Sequence, residues 1–471
     1  MKKTKVIATI GPASDNKETI KNMILNGMDV VRVNMSHSSH EFLKHIVDMV
    51  NELNKELNTN VSIMVDTNGP SVQIGHFEGG HAYLNKNDKI RIYNGPVIGN
   101  STRFSVSYPG ILDDIKINTT LKINDGLVEL LVIDKGHDYL LCEVINGGLV
   151  EDYKKINVIG SKLGIPFLSK KDKEDILYAS KLNVDFIALS FVSTHEDVLE
   201  VNDLLINTED AHMTIISKIE NAYAMDDLDE IIKVSDGIIV ARGDLGVELP
   251  LERIPGIQKQ IINKCHYLNK VSIVATEMLS SMEESVRPTR AEVSDVANAV
   301  IDGVDAVMLT GETTIGRYPE EVLSMMSKIL ETAEDDINYY DFLDRAYRTE
   351  KQDTTGSIAF SVVDCANRLK ASCIVAPTMS GYTARKLSRF RPMCPILAMS
   401  PDVETVQSLN IYYGVYPIVI ENTKSFDKML EIAKEKATKI FKLEEGERII
   451  ITGGYPFREV KHTNFMKIED L

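Results

Sequence analysis

The stretch TIISKIENAYAMDDLDEIIKVSDGIIVARGD, residues 214–244, decides the fold. An apolar, β-branched run opens it, a helical segment follows, and a second apolar run closes it at 237–241. That is the pattern of a strand, a crossover helix and a parallel strand. Each run ends on residues that carry chemistry: Lys218 and Glu220 after the first, then Arg242, Gly243 and Asp244 after the second. Residues two apart on a strand share a face, so Lys218 and Glu220 point the same way.

Working outward, runs of the same kind recur at 5–10, 29–34, 61–66, 185–190, 272–276 and 305–310. Eight buried strands alternating with helices predict an α/β fold of the (β/α)8 or TIM-barrel class. The spacing is even except between 61 and 185, which is too long for one helix and its loops. The barrel is therefore interrupted after its third strand. The interruption reads as short alternating runs, DKIRIYNG and YLLCEVINGG among them, set between turn dipeptides. This predicts a small β-barrel-like domain inserted in a βα loop at the catalytic mouth, where it can act as a lid. After the eighth strand one long helix, PEEVLSMMSKILETAEDDINYY, is expected to lead into a charged connector, LDRAYRTEKQDTT. From about residue 354, CIVAP, PILAMS, YPIVI and RIIITGG alternate with helices as an open α/β sheet. The expected division is a catalytic barrel over 1–69 and 157–342, a lid over 70–156, and a C-terminal α/β domain over 343–471.

Composition excludes several classes of function. The 471 residues carry 52 basic and 69 acidic side chains, a net charge of −17. Such a chain repels nucleic acid and anionic membrane, so an anionic ligand must be captured locally. No apolar run approaches the roughly 20 residues needed to span a bilayer. The start, MKKTKVIATIGPAS, turns polar too quickly for a secretory signal. Cys142, Cys265, Cys365, Cys373 and Cys394 lack CxxC spacing, which argues against zinc and a disulfide framework and fits a reducing cytoplasm.

In this architecture chemistry belongs at the C-terminal ends of strands. Those ends carry Arg32 and Asn34, Asp66 and Thr67, Lys218 and Glu220, Asp244, and Thr276. One such residue alone is usually solvated or paired; convergence of all of them on one mouth is what informs. Two carboxylates suit a hard divalent cation such as Mg2+, while an Arg fork and a Lys point charge suit phosphate oxygens. Together they are the parts of phosphoryl transfer.

The segments KVIATIGPAS, RVNMSHSSHE, DTNGP, DFIALSFV, SKIENA, DGIIVARGDLGVELP, ATEMLSSM and SGYTARKLSRFRPMCPILA resemble, in order, the pyruvate kinase family. The resemblance covers nearly the whole chain and is most specific between 217 and 319. It implies Mg2+-dependent phosphoryl transfer from phosphoenolpyruvate to ADP, giving pyruvate and ATP in glycolysis. By resemblance Lys218 neutralises the transferring phosphoryl group and Arg32 contacts it, while Glu220 and Asp244 hold Mg2+. Gly243, Asp244 and Thr276 hold the substrate carboxylate, and Thr276 lies near the enolate carbon that is protonated through water. Asn34, Ser36, Asp66 and Thr67 match a K+ shell; Asn34, His37 and Lys171 match nucleotide contacts. Thr378, Ser380, Gly381 and Thr383 match a pocket for a sugar-phosphate effector such as fructose 1,6-bisphosphate, although Tyr382 stands where the family often has Arg or Lys. A cytoplasmic, allosteric homotetramer is implied. The swivelling domain that some bacterial members append is not expected, because the chain stops soon after RIIITGG.

One patch departs from the family. Where it usually reads DTKGPEIRTG, this chain has DTNGPSVQIG, residues 66–75. Asn68 replaces the Lys, Ser71 the Glu, Gln73 a nucleotide-binding Arg, and Ile74 the last Thr; Glu277 replaces a Gln beside Thr276. Losing an Arg–phosphate contact weakens nucleotide binding by about 1.5–3 kcal/mol, and losing the Glu is expected to weaken dependence on K+. Two other readings stay open: another Mg2+-dependent barrel enzyme acting on phosphoenolpyruvate or pyruvate, and a catalytically silent paralogue that senses metabolites.

Overall fold

Alternation along eight short strands sorts their side chains into two cores. Ile7, Val30, Met64, Phe186, Ile216, Ile239, Ile273 and Met308 pack together inside the barrel. Their neighbours Val6, Val31, Val65, Ile187, Ile215, Ile238, Val274 and Val307 pack outward against the helices, as a period of two requires. The strands close in chain order: Lys5–Thr9, Val30–Asn34, Ser62–Asp66, Phe186–Leu189, Thr214–Ile219, Gly237–Ala241, Val271–Ala275 and Ala306–Leu309. All neighbours are parallel, and the eighth strand returns to the first with Lys5 opposite Ala306. This computed structural model describes residues 1–208, 213–349, 353–423, 425–455 and 462–471.

An aspartate stands one residue before each even-numbered barrel strand, and all four do the same thing. Asp29, Asp185, Asp236 and Asp305 accept the backbone N–H of Val6, Ile63, Ile215 and Ser272 at 2.8, 2.7, 3.0 and 2.9 Å. They join the strands in pairs at the barrel floor, satisfying amides that would otherwise be buried without a partner. The C-terminal domain covers that floor. Its Ile411 joins the interior core, Lys5 Nζ donates to the Val415 carbonyl at 2.6 Å, and Asn410 donates to the Asp29 carbonyl at 2.7 Å. With the floor closed, the opposite end of the barrel is the one left for a site.

Between the third and fourth barrel strands the chain builds a seven-stranded sheet, from Val72–Gln73 to Lys155–Ile159. A bridge between Ile74 and Val106 brings its two edges together, so the sheet curls around its own core of Phe77, Ile90, Phe104, Leu121 and Leu130. The last strand runs to Ile159, beyond the expected boundary at 156, because Asn157, Val158 and Ile159 keep pairing with Lys122, Leu121 and Thr120. A five-stranded sheet forms the C-terminal domain, four strands parallel and Phe465–Asp470 antiparallel at the edge.

The single helix expected after the eighth barrel strand is two, Pro319–Asp335 and Tyr339–Thr349. Tyr339 is buried and its hydroxyl donates back to the Glu334 carbonyl at 2.9 Å, which turns the chain. The charged connector is therefore mostly the second helix, a one-sided one that buries Phe342 and Leu343. Its charges face water, and their density masked the apolar stripe in the sequence. Residues 350–352 of that connector lie outside the described residues.

Candidate active site

Strand alternation delivers Thr9, Arg32, Asp66, Ser190, Lys218 and Glu220 to the inward side at the C-terminal rim, one layer above the interior core. There they form one chain of contacts. Arg32 Nε donates to Asp66 Oδ2 at 2.7 Å, Nη1 donates to Thr9 Oγ1 at 2.8 Å, and Nη2 also bonds Asp66. Lys218 Nζ lies 3.3 Å from Asp66 Oδ2, 3.0 Å from Ser190 Oγ and 2.9 Å from Glu220 Oε1. Glu220 Oε2 accepts the Phe191 N–H at 2.7 Å.

The side chains of Asp66 and Glu220 are each only 1% exposed and that of Lys218 10%, so their charges act on one another through little water. Burial works against the charged form of Asp66, yet Arg32 and Lys218 hold its carboxyl below the usual range. Burial would likewise lower Lys218, but Asp66 and Glu220 outweigh it and hold the ammonium above its ordinary value. Glu220 is pushed up by its burial, with Asp244 adding to the effect and Lys218 opposing it. Lys218 is thus a permanent cation, and Glu220 beside Asp244 is a carboxylate in want of positive charge.

Asp244 follows the sixth strand on the short helix Arg242–Glu248. Thr276, after the seventh strand, has φ 68° and its neighbour Glu277 φ 52°. A β-branched residue is rarely left-handed, and such strain gathers at functional sites. Arg242 holds the strained pair, donating to the Thr276 carbonyl at 2.8 Å and to the Glu277 carbonyl at 3.2 Å while pairing with Asp295 at 2.5 Å. Thr276 Oγ1 accepts the Gly243 N–H at 2.8 Å and donates to the Ala275 carbonyl at 2.6 Å. The Gly243 amide assigned to a substrate carboxylate is therefore capped by that threonine here.

Glu220 and Asp244 are two hard oxygen donors, the kind of set that binds Mg2+ when substrate and water complete the shell. Among the described residues the group of three clustered potential ligands is His195, Glu196 and Asp227, at the start of His195–Ile206, and it includes neither Glu220 nor Asp244. The four K+ candidates sit at or just beyond adjacent strand ends, and the side-chain oxygens of Asn34, Asp66 and Thr67 are already engaged. Asn34 Oδ1 accepts the Ser36 N–H at 3.0 Å, and the Thr67 hydroxyl accepts the Ser190 N–H at 3.1 Å. Asp66 is already neutralised by Arg32 and Lys218.

Beside Arg32 a groove opens, lined by Thr9, Pro12, Asn34, His37, Phe42 and Thr310. Lys171 is not in it; its ammonium donates to the Met35 carbonyl and Asp175, each at 2.7 Å. In the divergent patch, Asn68 and Gly69 donate their amides to Asp172 at 3.0 and 3.3 Å. Ile74 is a buried member of the lid core, while Gln73 and Glu277 are exposed. In the C-terminal domain Gly381, at φ 73°, precedes the helix Tyr382–Arg389. Thr378, Ser380 and Thr383 line the adjoining cleft with apolar Met399, Phe426, Met429 and Phe465, and Thr383 pairs with Thr463 at 2.8 Å.

The sequence reading missed three participants. Ser190 bridges Lys218, Asp66 and the Thr67 carbonyl; its place at the end of DFIALS was the available signal. Arg242 was noted at the end of its strand but given no role. Lys155, on the lid, pairs with Asp244 at 2.6 Å, and no local pattern announces it.

Residues 1–323 match the family model for the pyruvate kinase barrel domain, and 356–469 that for the pyruvate kinase alpha/beta domain. The chain is 41% identical over 470 residues to pyruvate kinase of Staphylococcus aureus strain MRSA252, covering 99% of this chain and 80% of that one. The strain NCTC 8325 enzyme gives the same identity and coverage. A crystal structure of a pyruvate kinase from Cryptosporidium parvum superposes with a TM-score of 0.94 at 36% identity, over 100% of this chain and 96% of that one.

Proposed function

The chain belongs to the pyruvate kinase family, and from that premise we propose how its barrel rim moves a phosphoryl group from phosphoenolpyruvate to ADP. The observation that carries the assignment of roles is the buried chain Arg32–Asp66–Lys218–Glu220.

Lys218 is a fixed cation held between two acids, so it acts as a point charge on the transferring phosphoryl group rather than as a proton carrier. Arg32, oriented by Asp66 and Thr9, offers its fork to phosphate oxygens on the groove side. The same groove, with Asn34 and His37 on its wall, receives the nucleotide; Lys171 serves from outside it. Gly243, Asp244 and Thr276 bind the carboxylate of phosphoenolpyruvate, which requires the Thr276 hydroxyl to release the Gly243 amide. That released hydroxyl then orders the water that protonates the enolate carbon. Glu220 and Asp244 would hold Mg2+, which supplies charge neutralisation shared between phosphate and carboxylate oxygens. The donor set at Asn34, Ser36, Asp66 and Thr67 fits a monovalent cation poorly, since its one carboxylate is already paired twice, and we infer a weak K+ requirement.

Crystals grown with Mg2+ and oxalate test this arrangement, oxalate standing in for the enolate of pyruvate. The expected density is an ion bridging Glu220, Asp244 and oxalate, with Lys218 within hydrogen-bond reach of the ligand. An ion bound elsewhere contradicts the assignment.

The domain division, a homotetramer and a cytoplasmic location belong to the same proposal. The last is supported by five unpaired cysteines, whose burial pushes the Cys142 and Cys394 thiols up to about 12. Sedimentation reads the oligomer. A thermal shift with fructose 1,6-bisphosphate tests the cleft at Thr378, Ser380, Gly381 and Thr383; no shift at saturation would remove the effector.

A further inference from the structure

Two crossings join the lid to the barrel, and one buried carboxylate holds both. The outgoing crossing runs from the strand Ser62–Asp66 to Val72–Gln73, and the returning one from Lys155–Ile159 to the helix Lys170–Lys181. Asp172, in the first turn of that helix, is fully buried. Its Oδ1 accepts the outgoing amides of Asn68 and Gly69 at 3.0 and 3.3 Å. Its Oδ2 accepts the Ser169 N–H at 3.3 Å and the Ser169 hydroxyl at 2.6 Å on the returning side. Ser169 caps the helix, and capping needs only this second set of bonds. The first set reaches across to the other crossing.

The peptides that Asp172 holds are seated against the catalytic rim. Thr67 donates its N–H to the Ala188 carbonyl at 3.0 Å, and its hydroxyl accepts the Ser190 N–H at 3.1 Å. The Thr67 carbonyl accepts the Ser190 hydroxyl at 2.8 Å. Gly69 has φ 68°, and a Cβ there would stand 2.6 Å from the Ser190 carbonyl oxygen, so this close approach requires glycine. Ser190 Oγ in turn accepts from Lys218 Nζ at 3.0 Å. Residues 67–69 thus lie between a buried acid and the serine that seats Lys218.

A lid that opens and closes must change backbone dihedrals somewhere in its two crossings. Asn68 and Gly69 cannot absorb that change without leaving a buried carboxylate short of donors. Pro70, the next residue, has its φ fixed by its ring. The pivot is therefore pushed outward, to Ser71 and to residues 160–168. We propose that Asp172 is a positioning residue for phosphoryl transfer: by clamping these peptides it insulates Ser190 and Lys218 from the movement of the lid. This rests on the reading of Lys218 as the charge that meets the transferring phosphoryl group.

Amide hydrogen exchange on the wild type, with and without Mg2+ and oxalate, reads the clamp. Asn68 and Gly69 should exchange equally slowly in both, with the ligand-dependent change at Ser71 and over 160–168. A ligand-dependent change of about tenfold or more at either clamped amide would overturn the proposal. Asp172→Ala should speed exchange at both amides about tenfold or more and lower kcat about thirtyfold, with each KM within about threefold. Asp172→Asn, whose Oδ1 still accepts both amides, should restore most of that loss. Asp197 gives the matched control, since it caps His195–Ile206 by accepting the Ser193 and Thr194 amides at 2.8 and 2.9 Å. Asp197→Ala is expected to lower stability to urea in the same way and to leave kcat alone. In a Ser190→Ala background the Asp172→Ala change should cost about threefold or less, because the route to Lys218 is already cut. An unchanged kcat in Asp172→Ala, an equal loss in Asp197→Ala, or losses that simply multiply with Ser190→Ala would each overturn the proposal. Should Asp172→Ala fail to fold, the wild-type exchange pattern decides. Absence of turnover in the wild type would instead remove the reading of Lys218, and the same exchange pattern would still decide the clamp.

Discussion

The two ends of the barrel both gather charge and spend it differently. At the floor, Asp29, Asp185, Asp236 and Asp305 are answered by backbone amides of the neighbouring strands. Lys5 and Arg391 are answered there by carbonyls of Val415 and Gly303 and by two of the same aspartates, Asp29 and Asp305. At the rim, Arg32, Asp66, Lys218, Glu220, Asp244 and Lys155 are answered mostly by one another, beside a left-handed Phe191, Thr276 and Glu277. A charge bonded to the main chain has a partner as permanent as the fold. A charge bonded to another side chain can exchange that partner for a ligand. The floor serves stability and the rim serves chemistry.

The largest effect should come at the rim. Lys218→Met removes the cation at the centre of the contact chain, and pyruvate formation is expected to fall by about a thousandfold or more, with the protein still folded by circular dichroism. Retained turnover would break the comparison at its strongest point. The converse test is at the floor. Asp305 pairs with Arg391 at 2.8 Å, their side chains 7% and 2% exposed. Asp305→Ala leaves that guanidinium buried without its counter-ion and should cost about 3–5 kcal/mol in urea unfolding, with kcat of the folded fraction unchanged. A kinetic defect without lost stability would mean the floor communicates with the site.

A smaller effect distinguishes the ends by pH. His266 sits at the floor, where burial and the adjacent Arg391 push its imidazole down to about 3; Arg391 donates to it at 2.6 Å. The folded protein keeps it neutral while the unfolded chain protonates it below about 6.5. The unfolded state therefore binds the extra proton in that window, and stability falls as pH drops from 6.5 towards 3, by at most about 1.4 kcal/mol per unit from this group. His266→Gln should flatten that slope without altering kcat. The smallest effect is expected from K+: exchanging it for a bulky ammonium ion should leave most of the turnover, because Asp66 already has Arg32 and Lys218. A strict requirement would mean that these pairs rearrange around the ion.

How much of this was legible in the sequence depended on whether a residue's role is set by its own strand or by a neighbour. The barrel could be read because each strand is an apolar run bounded by turns, and Arg32, Lys218 and Glu220 because strand alternation fixes their side. Lys155 could not: its partner Asp244 lies 89 residues on, and only the docked lid joins them. The floor aspartates stand in plain view before every second strand, yet their purpose needs the preceding strand's amide. The break after Asp335 was hidden because acidic, polar sequence continues from Pro319–Asp335 into Tyr339–Thr349 with no glycine or proline between them.

If the rim's cations and acids act together as one phosphoryl-transfer site, pyruvate release from phosphoenolpyruvate by this protein reads it out. With ADP and Mg2+ sustained turnover is expected, and it should stop when the divalent ion is chelated. Folded wild-type protein that releases no pyruvate with Mg2+ present, with or without K+, would contradict it.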